Sequence, residues 1–128
     1  MDTEKNNVHY MGMKTYNRIP FYLRYFDVCI IPYVIGEATE AVNPIKFYEY
    51  IAANKPVVAT PFLETSLFKQ IARIVKNKEE FDMAISDYLK ADDITTVKKR
   101  IEFARGNTWQ KRAHKIKRHL MAILKERL

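Results

Sequence analysis

Lys46 and Glu49 stand three residues apart in the stretch Asn43-Pro-Ile-Lys-Phe-Tyr-Glu-Tyr-Ile-Ala-Ala-Asn-Lys-Pro-Val-Val-Ala-Thr-Pro. On a helix that spacing puts them on one face. A lysine in a first turn is mildly disfavoured by the helix dipole, by about 0.3–1 kcal/mol. With the free N–H groups of the same turn it makes a site for an anion, phosphate above all. A carboxylate can accept two hydroxyl hydrogen bonds at once, as from a ribose diol. Phosphate on Lys46 and a diol on Glu49 together describe a nucleoside diphosphate. The plainer reading is an i,i+3 salt bridge worth about 0.2–0.5 kcal/mol. Spacing alone leaves both open.

The same stretch contains the elements that must position this pair. Asn43 is a suitable N-cap, and Pro44 then takes the first helical position, where its missing N–H costs nothing. Asn54 suits a helix stop, and Lys55, preceding a proline, is pushed towards extended geometry. Residues 56–60 form a β-branched run of the kind that a parallel strand buries on both faces.

The chain has 128 residues, 48% hydrophobic and 29% charged, which suits a single soluble domain with one core. Its longest apolar run, residues 28–35, is broken by Pro32 and falls far short of the ~20 residues of a spanning helix. The polar start, Met-Asp-Thr-Glu-Lys-Asn-Asn, does not read as a signal peptide. A single cysteine, Cys29, excludes an internal disulfide. It suits a reducing cytoplasm and reads as a small buried hydrophobe. His9, His114 and His119 show no metal spacing, and there is no glycine-rich phosphate loop and no hydrolase triad. No metal or cofactor is therefore expected. The net charge of +7 is concentrated: residues 98–128 hold eleven Lys and Arg against two Glu. The basic character belongs to the C-terminal helices.

Along the chain, residues 8–11 are a strand candidate ended by Gly12, and a helix is expected over residues 16–25 with Thr15 as its cap. Residues 27–33 are the clearest strand, and 34–42 a loop. Further on come a helical turn at 67–70, a strand at 71–76, and an amphipathic helix at 78–90 with Phe81, Ile85, Tyr88 and Leu89 inward. A helix at 94–105 follows, capped by Asp93, and a last helix starts at Thr108. Strands alternating with helices predict an α/β class with a mainly parallel sheet. Ligands of such sheets sit beyond the carboxyl ends of the strands, where Lys46 and Glu49 are expected.

Asp27-Val-Cys-Ile-Ile-Pro followed by the Asn43 stretch resembles the C-terminal nucleotide-sugar-binding domain of GT-B glycosyltransferases, specifically the retaining group-1 family. Asn7-Val-His-Tyr-Met-Gly and Asn107-Thr-Trp resemble segments before and after it in that family. The resemblance covers nearly the whole chain and implies a partial Rossmann-like domain over residues 1–106, followed by a basic amphipathic helix over 107–128. It implies donor contacts from Lys46 to the diphosphate, from Glu49 to the ribose hydroxyls, and from the backbone N–H groups of Ile45 and Lys46 to phosphate. Asn43 belongs to the same loop. The family carries two glutamates separated by seven residues. Here Ala41 stands eight before Glu49, and Glu40, one residue off, is the candidate for that role. Donor-sugar contacts also depart from the family, because Ala41-Val-Asn replaces its glycine-rich stretch.

The resemblance further implies a nucleotide-sugar donor, hexose transfer to a glycan or lipid-linked acceptor, and no metal. It also implies an acceptor-binding domain that this sequence does not carry, so that the piece is either a truncated gene product or half of a split enzyme whose other half is a separate chain, and is not expected to be active alone. In the last helix Trp109, Ala113, Ile116, Leu120 and Ile123 make one apolar stripe, with Lys111, Arg112, Lys115, Arg118 and Lys125 largely off it. The stripe either packs on the core beneath a solvated basic face or meets a membrane surface. Without a stacking-aromatic platform, nucleic acid is not expected as a partner. The competing function is a non-catalytic α/β module that holds a membrane or partner through residues 98–128.

Overall fold

A computed structural model describes residues 7–63 and 65–126 of the chain. Three parallel strands form one sheet in the order β1 (Cys29–Ile31), β2 (Val57–Ala59), β3 (Arg73–Ile74). Seven α-helices accompany them among the described residues: α1 (Ile19–Leu23), α2 (Glu37–Glu40), α3 (Ile45–Ala52), α4 (Thr65–Phe68), α5 (Lys78–Lys90), α6 (Ile94–Gly106) and α7 (Trp109–Glu126). The register pairs Cys29 with Val57, Ile30 with Val58 and Val58 with Arg73. Two successive β-α-β units with all strands parallel are a piece of a Rossmann-like α/β domain, as the alternating pattern predicts.

The core explains why the central strand is apolar throughout. Val57, Val58 and Ala59 are all fully buried. Val57 and Ala59 join Cys29, Ile31, Phe47, Ile51, Phe62 and Phe68 in one cluster, against which Tyr48 and Phe103 pack. Phe47 and Phe68 have ring centroids 4.4 Å apart. Val58 points to the opposite face, and α5, with buried Ala84, packs against β2. Ile30 shares that face on β1 and stays 46% exposed, so cover on this side stops short of the edge strand.

Several expectations are corrected. Residues 8–11 form no strand, and their side chains are exposed. An extended segment becomes a strand only beside a neighbour, and none pairs with it among the described residues. The helix expected over 16–25 is a 3-10 turn (Tyr16–Arg18) followed by the short α1, because Pro20 fits only a first turn. The loop at 34–42 contains the single turn α2, where Thr39 Oγ1 donates to the Gly36 carbonyl and accepts from its N–H. Pro44, not Asn43, is the N-cap of α3. Its ψ of 120° is extended, so the helix begins one residue later and no side chain caps it. The helical turn expected at 67–70 starts earlier, at Thr65. Leu89 is exposed on α5, where Ala84 is the buried contact.

Other boundaries agree closely. Asn77 caps α5 by accepting from Glu80 N, and Asp93 caps α6 by accepting from Thr96 N. At the end of α3, Asn54 adopts a left-handed φ of 53°. Its N–H donates to the Ile51 carbonyl and Lys55 N–H to the Tyr50 carbonyl. This is a Schellman closure, which asparagine tolerates better than most residues. Cys29 is buried, as its apolar surroundings predict. Among the described residues no helix is long and apolar enough to cross a membrane.

Candidate functional site

The expected pair lies on α3, and the structure does not unite the two side chains in an ion pair. The turn that begins α3 has only one local bond, from Phe47 N–H to the Pro44 carbonyl at 3.0 Å. The N–H groups of Ile45 and Lys46 meet no partner among the described residues. That leaves two donors at the positive end of the helix dipole. Lys46 turns towards the end of β1, its Nζ 4.7 Å from the centre of the Tyr33 ring. Tyr33 is itself held where β1 and β2 end, since Thr60 Oγ1 donates to its carbonyl at 2.8 Å. The lysine therefore sits at the carboxyl edge of the sheet, with its charge over an aromatic face.

Glu49 points elsewhere. With Asn43 and Ile45 it lines a cleft of about 510 Å³ walled by α1, α3, α6 and the start of α7. That volume is within the range of small-ligand sites, about 300–1,000 Å³. Glu49 is half-buried and makes no ion pair within 4.0 Å among the described residues. Both of its oxygens are thus open to hydroxyl donors. The expectation of one face shared by Lys46 and Glu49 holds only loosely. Asn43, Ile45 and Glu49 meet in the cleft, and Lys46 does not line it. Three residues around a helix is about 300°, so the two neighbours diverge by about 60° when their side chains lean apart. The side chain of Glu40 lies outside the described residues.

The cleft also contains residues that the sequence did not single out. Tyr48 stacks on Phe103 with planes 19° apart, and the Arg112 guanidinium lies 4.5 Å from the centre of the Tyr48 ring. Arg112 donates to Asn107 Oδ1 at 3.4 Å, while Asn107 donates to the Phe103 carbonyl at 2.9 Å. Trp109 completes the rim. One carboxylate, one guanidinium and several aromatic faces can bind a polar, planar ligand carrying both hydroxyls and negative charge. In the sequence Arg112 is one cation among many, and only the Asn107-Thr-Trp opening marks its neighbourhood.

Behind the cleft, Arg100 of α6 is fully buried. It forms an ion pair with Asp92 and donates from Nε to Asn54 Oδ1 at 3.3 Å. This clamp joins the C-terminal cap of α3 to α6, two helices that pack on each other and both line the cleft. A sequence signal existed: Arg100 falls on the α6 face of Phe103 and Ala104, which pack against the core.

Among the described residues there is no group of three or more His, Cys, Asp or Glu side chains that could hold a metal. Comparison with known proteins finds a stretch of 60 residues 38% identical to "Putative teichuronic acid biosynthesis glycosyltransferase TuaH" of Bacillus subtilis (strain 168). The stretch is 47% of this chain and 15% of that protein. Over about half its length the chain is therefore similar to a glycosyltransferase. No family model matches the chain. No solved structure matches it.

Proposed function

We propose that this chain is the nucleotide-sugar-binding part of a glycosyltransferase of the GT-B, group-1 type. The observation that carries the reading is the half-buried Glu49 carboxylate, without an ion-pair partner, in a cleft opening beside the uncapped start of α3. The 60-residue similarity to a glycosyltransferase supports it. In this reading Glu49 accepts from the ribose diol, Trp109 offers a face to the base, and the N–H groups of Ile45 and Lys46 take phosphate oxygens. Lys46 supplies charge to the diphosphate by leaving the Tyr33 ring, a side-chain rotation that costs about 0.5–1 kcal/mol of exposed cation–π contact.

The donor diphosphate is held here by backbone donors and a lysine, so its binding needs no metal. The acceptor and the bulk of the catalytic surroundings come from a second α/β domain outside these residues, so turnover by these residues alone is not expected. Cytoplasmic placement, where nucleotide sugars are available, belongs to the same proposal.

Isothermal titration with UDP, GDP and ADP tests it. One nucleotide should bind saturably, and Glu49→Ala should weaken it by about 10-fold or more, since hydrogen bonds to a charged group are worth about 1.5–3 kcal/mol. Lys46→Ala should weaken the diphosphate but leave the affinity for the nucleoside unchanged. A chain that is folded by circular dichroism and binds none of the three overturns the reading.

A further inference from the structure

From Ala113 to Lys125 every residue of α7 is exposed, including Ile116 at 61% and Leu120 at 56%. The helix is tied to the body only at its first turns, through Arg112 and the Trp109 rim of the cleft. Beyond them its apolar residues pack on nothing among the described residues. This corrects the expectation of a stripe packed on the core. At 100° per residue, Trp109, Ala113, Ile116, Leu120, Ile123 and Leu124 fall within an arc of about 100°. Lys117 and Arg112 border that arc on its two sides. Lys111, Lys115, Arg118 and Lys125 occupy the rest of the surface, with no acidic residue between Trp109 and Lys125.

We infer that α7 is an in-plane anchor for an anionic lipid surface. The part of the helix beyond Arg112 has no tertiary support among the described residues and is short enough to be marginal in water, so its stripe calls for cover. The cover must be apolar along one line and negatively charged on both sides of that line. A bilayer with anionic headgroups meets both demands at once: acyl chains take the arc, while exposed Lys117 on one side and Lys115 on the other reach phosphates. A protein groove would need acidic residues along both rims. A second copy of this helix would bring like charges together at the same borders. The helix does not span, since no described helix is long and apolar enough to cross a membrane. The inference rests on the helix beyond the cleft, Ala113 to Lys125, and stands or falls without nucleotide binding, with Trp109 at the cleft rim serving only as its reporter.

The test is co-sedimentation of the full chain with vesicles of phosphatidylcholine, alone or with one quarter phosphatidylglycerol. Trp109 is the sole tryptophan and lies in the arc, so its fluorescence reports insertion. We expect a blue shift and pelleting with the anionic vesicles only, reversed at 1 M salt, where the screening length falls to about 3 Å. The triple change Ile116→Ser, Leu120→Ser, Ile123→Ser should abolish both. Lys115→Gln, Lys117→Gln, Arg118→Gln should keep the stripe and weaken partition about a hundredfold, at about fivefold per cation near the surface. These six positions are exposed, so both variants should keep the wild-type melting temperature of the body. No pelleting with anionic vesicles overturns the inference. Equal binding to neutral vesicles, or undiminished binding by the triple-serine variant, also overturns it. So does a stripe-dependent dimer in sedimentation velocity that excludes the vesicles.

Discussion

Removing either member of the Arg100–Asp92 pair should have unequal consequences. Arg100 is 0% exposed, whereas the Asp92 side chain keeps 25% of its surface in water. In Asp92→Ala the guanidinium stays buried without a counter-ion, and an uncompensated buried charge costs about 3–5 kcal/mol. In Arg100→Met the volume stays filled and the Asp92 carboxylate can rehydrate. What is lost is the ion pair and one long hydrogen bond to Asn54, together about 1–2 kcal/mol. The double variant should cost about what Arg100→Met alone costs, giving a coupling of about 3 kcal/mol or more. Urea unfolding followed by circular dichroism at pH 7 measures all three. Thermal melts should show Asp92→Ala lower by about 10–20 °C, at about 3–5 °C per kcal/mol for a domain of this size. If Arg100→Met proves as damaging as Asp92→Ala, or if the coupling is below about 0.5 kcal/mol, the buried-cation reasoning is wrong. Because the clamp joins α3 to α6, Asp92→Ala should also loosen the cleft and weaken any nucleotide that Glu49 holds.

Further predictions concern single groups. Asp93 is held below its ordinary value of 3.8 by hydrogen bonds from Thr96, so its stabilising contribution is present above that value and is lost as pH falls through the lower folded one. Asp93→Asn keeps the cap, and acid titration of its stability should be flatter. Burial pushes the Cys29 thiol up to about 11. It should therefore resist thiol reagents at pH 8 in the folded chain and react at once in urea, as read by 5-thio-2-nitrobenzoate release. Asn54→Ala loses both the tolerance for φ 53° and the bond from Arg100, about 2 kcal/mol in all. Asn54→Gly gives back the conformational part and should lie within about 1 kcal/mol of wild type in the same urea assay.

The fold was legible where a residue's own chemistry sets the backbone. Asn77 and Asp93 cap the helices that they precede in the sequence, and the β-branched run Val57-Val58 is the buried central strand. It was illegible where a partner decides. Residues 8–11 have a strand's composition, but a strand also needs a neighbour, which composition does not report. Pro44 shows the limit at a boundary: proline favours the first helical position, yet the buried Pro44 takes the N-cap with extended ψ, one residue earlier than that preference predicts. In the cleft, Glu49 was found through its place on a helix, whereas Arg112 and Tyr48 enter through contacts between α3 and α7. The same basic stretch holds one fully buried cation, Arg100, and one partly buried, Arg112, among exposed ones, and no count of charge separates them.

The side of β1 that pairs with no strand among the described residues has a consequence for solubility. Cys29 and Ile31 direct their backbone bonds at β2, with Cys29 N–H donating to the Pro56 carbonyl and Thr60 N–H to that of Ile31. In a parallel ladder the alternate residues Val28, Ile30 and Pro32 then turn their backbone outward. Proline has no N–H, so the row of outward donors stops after two. Templated strand addition, the first step of cross-β growth, needs a longer unbroken row. Pro32, which in the sequence only interrupts an apolar run, thus blunts the sheet edge beside exposed Ile30. Its replacement by valine would lengthen the row, and the effect would appear as precipitation at high concentration while the melting temperature stayed put.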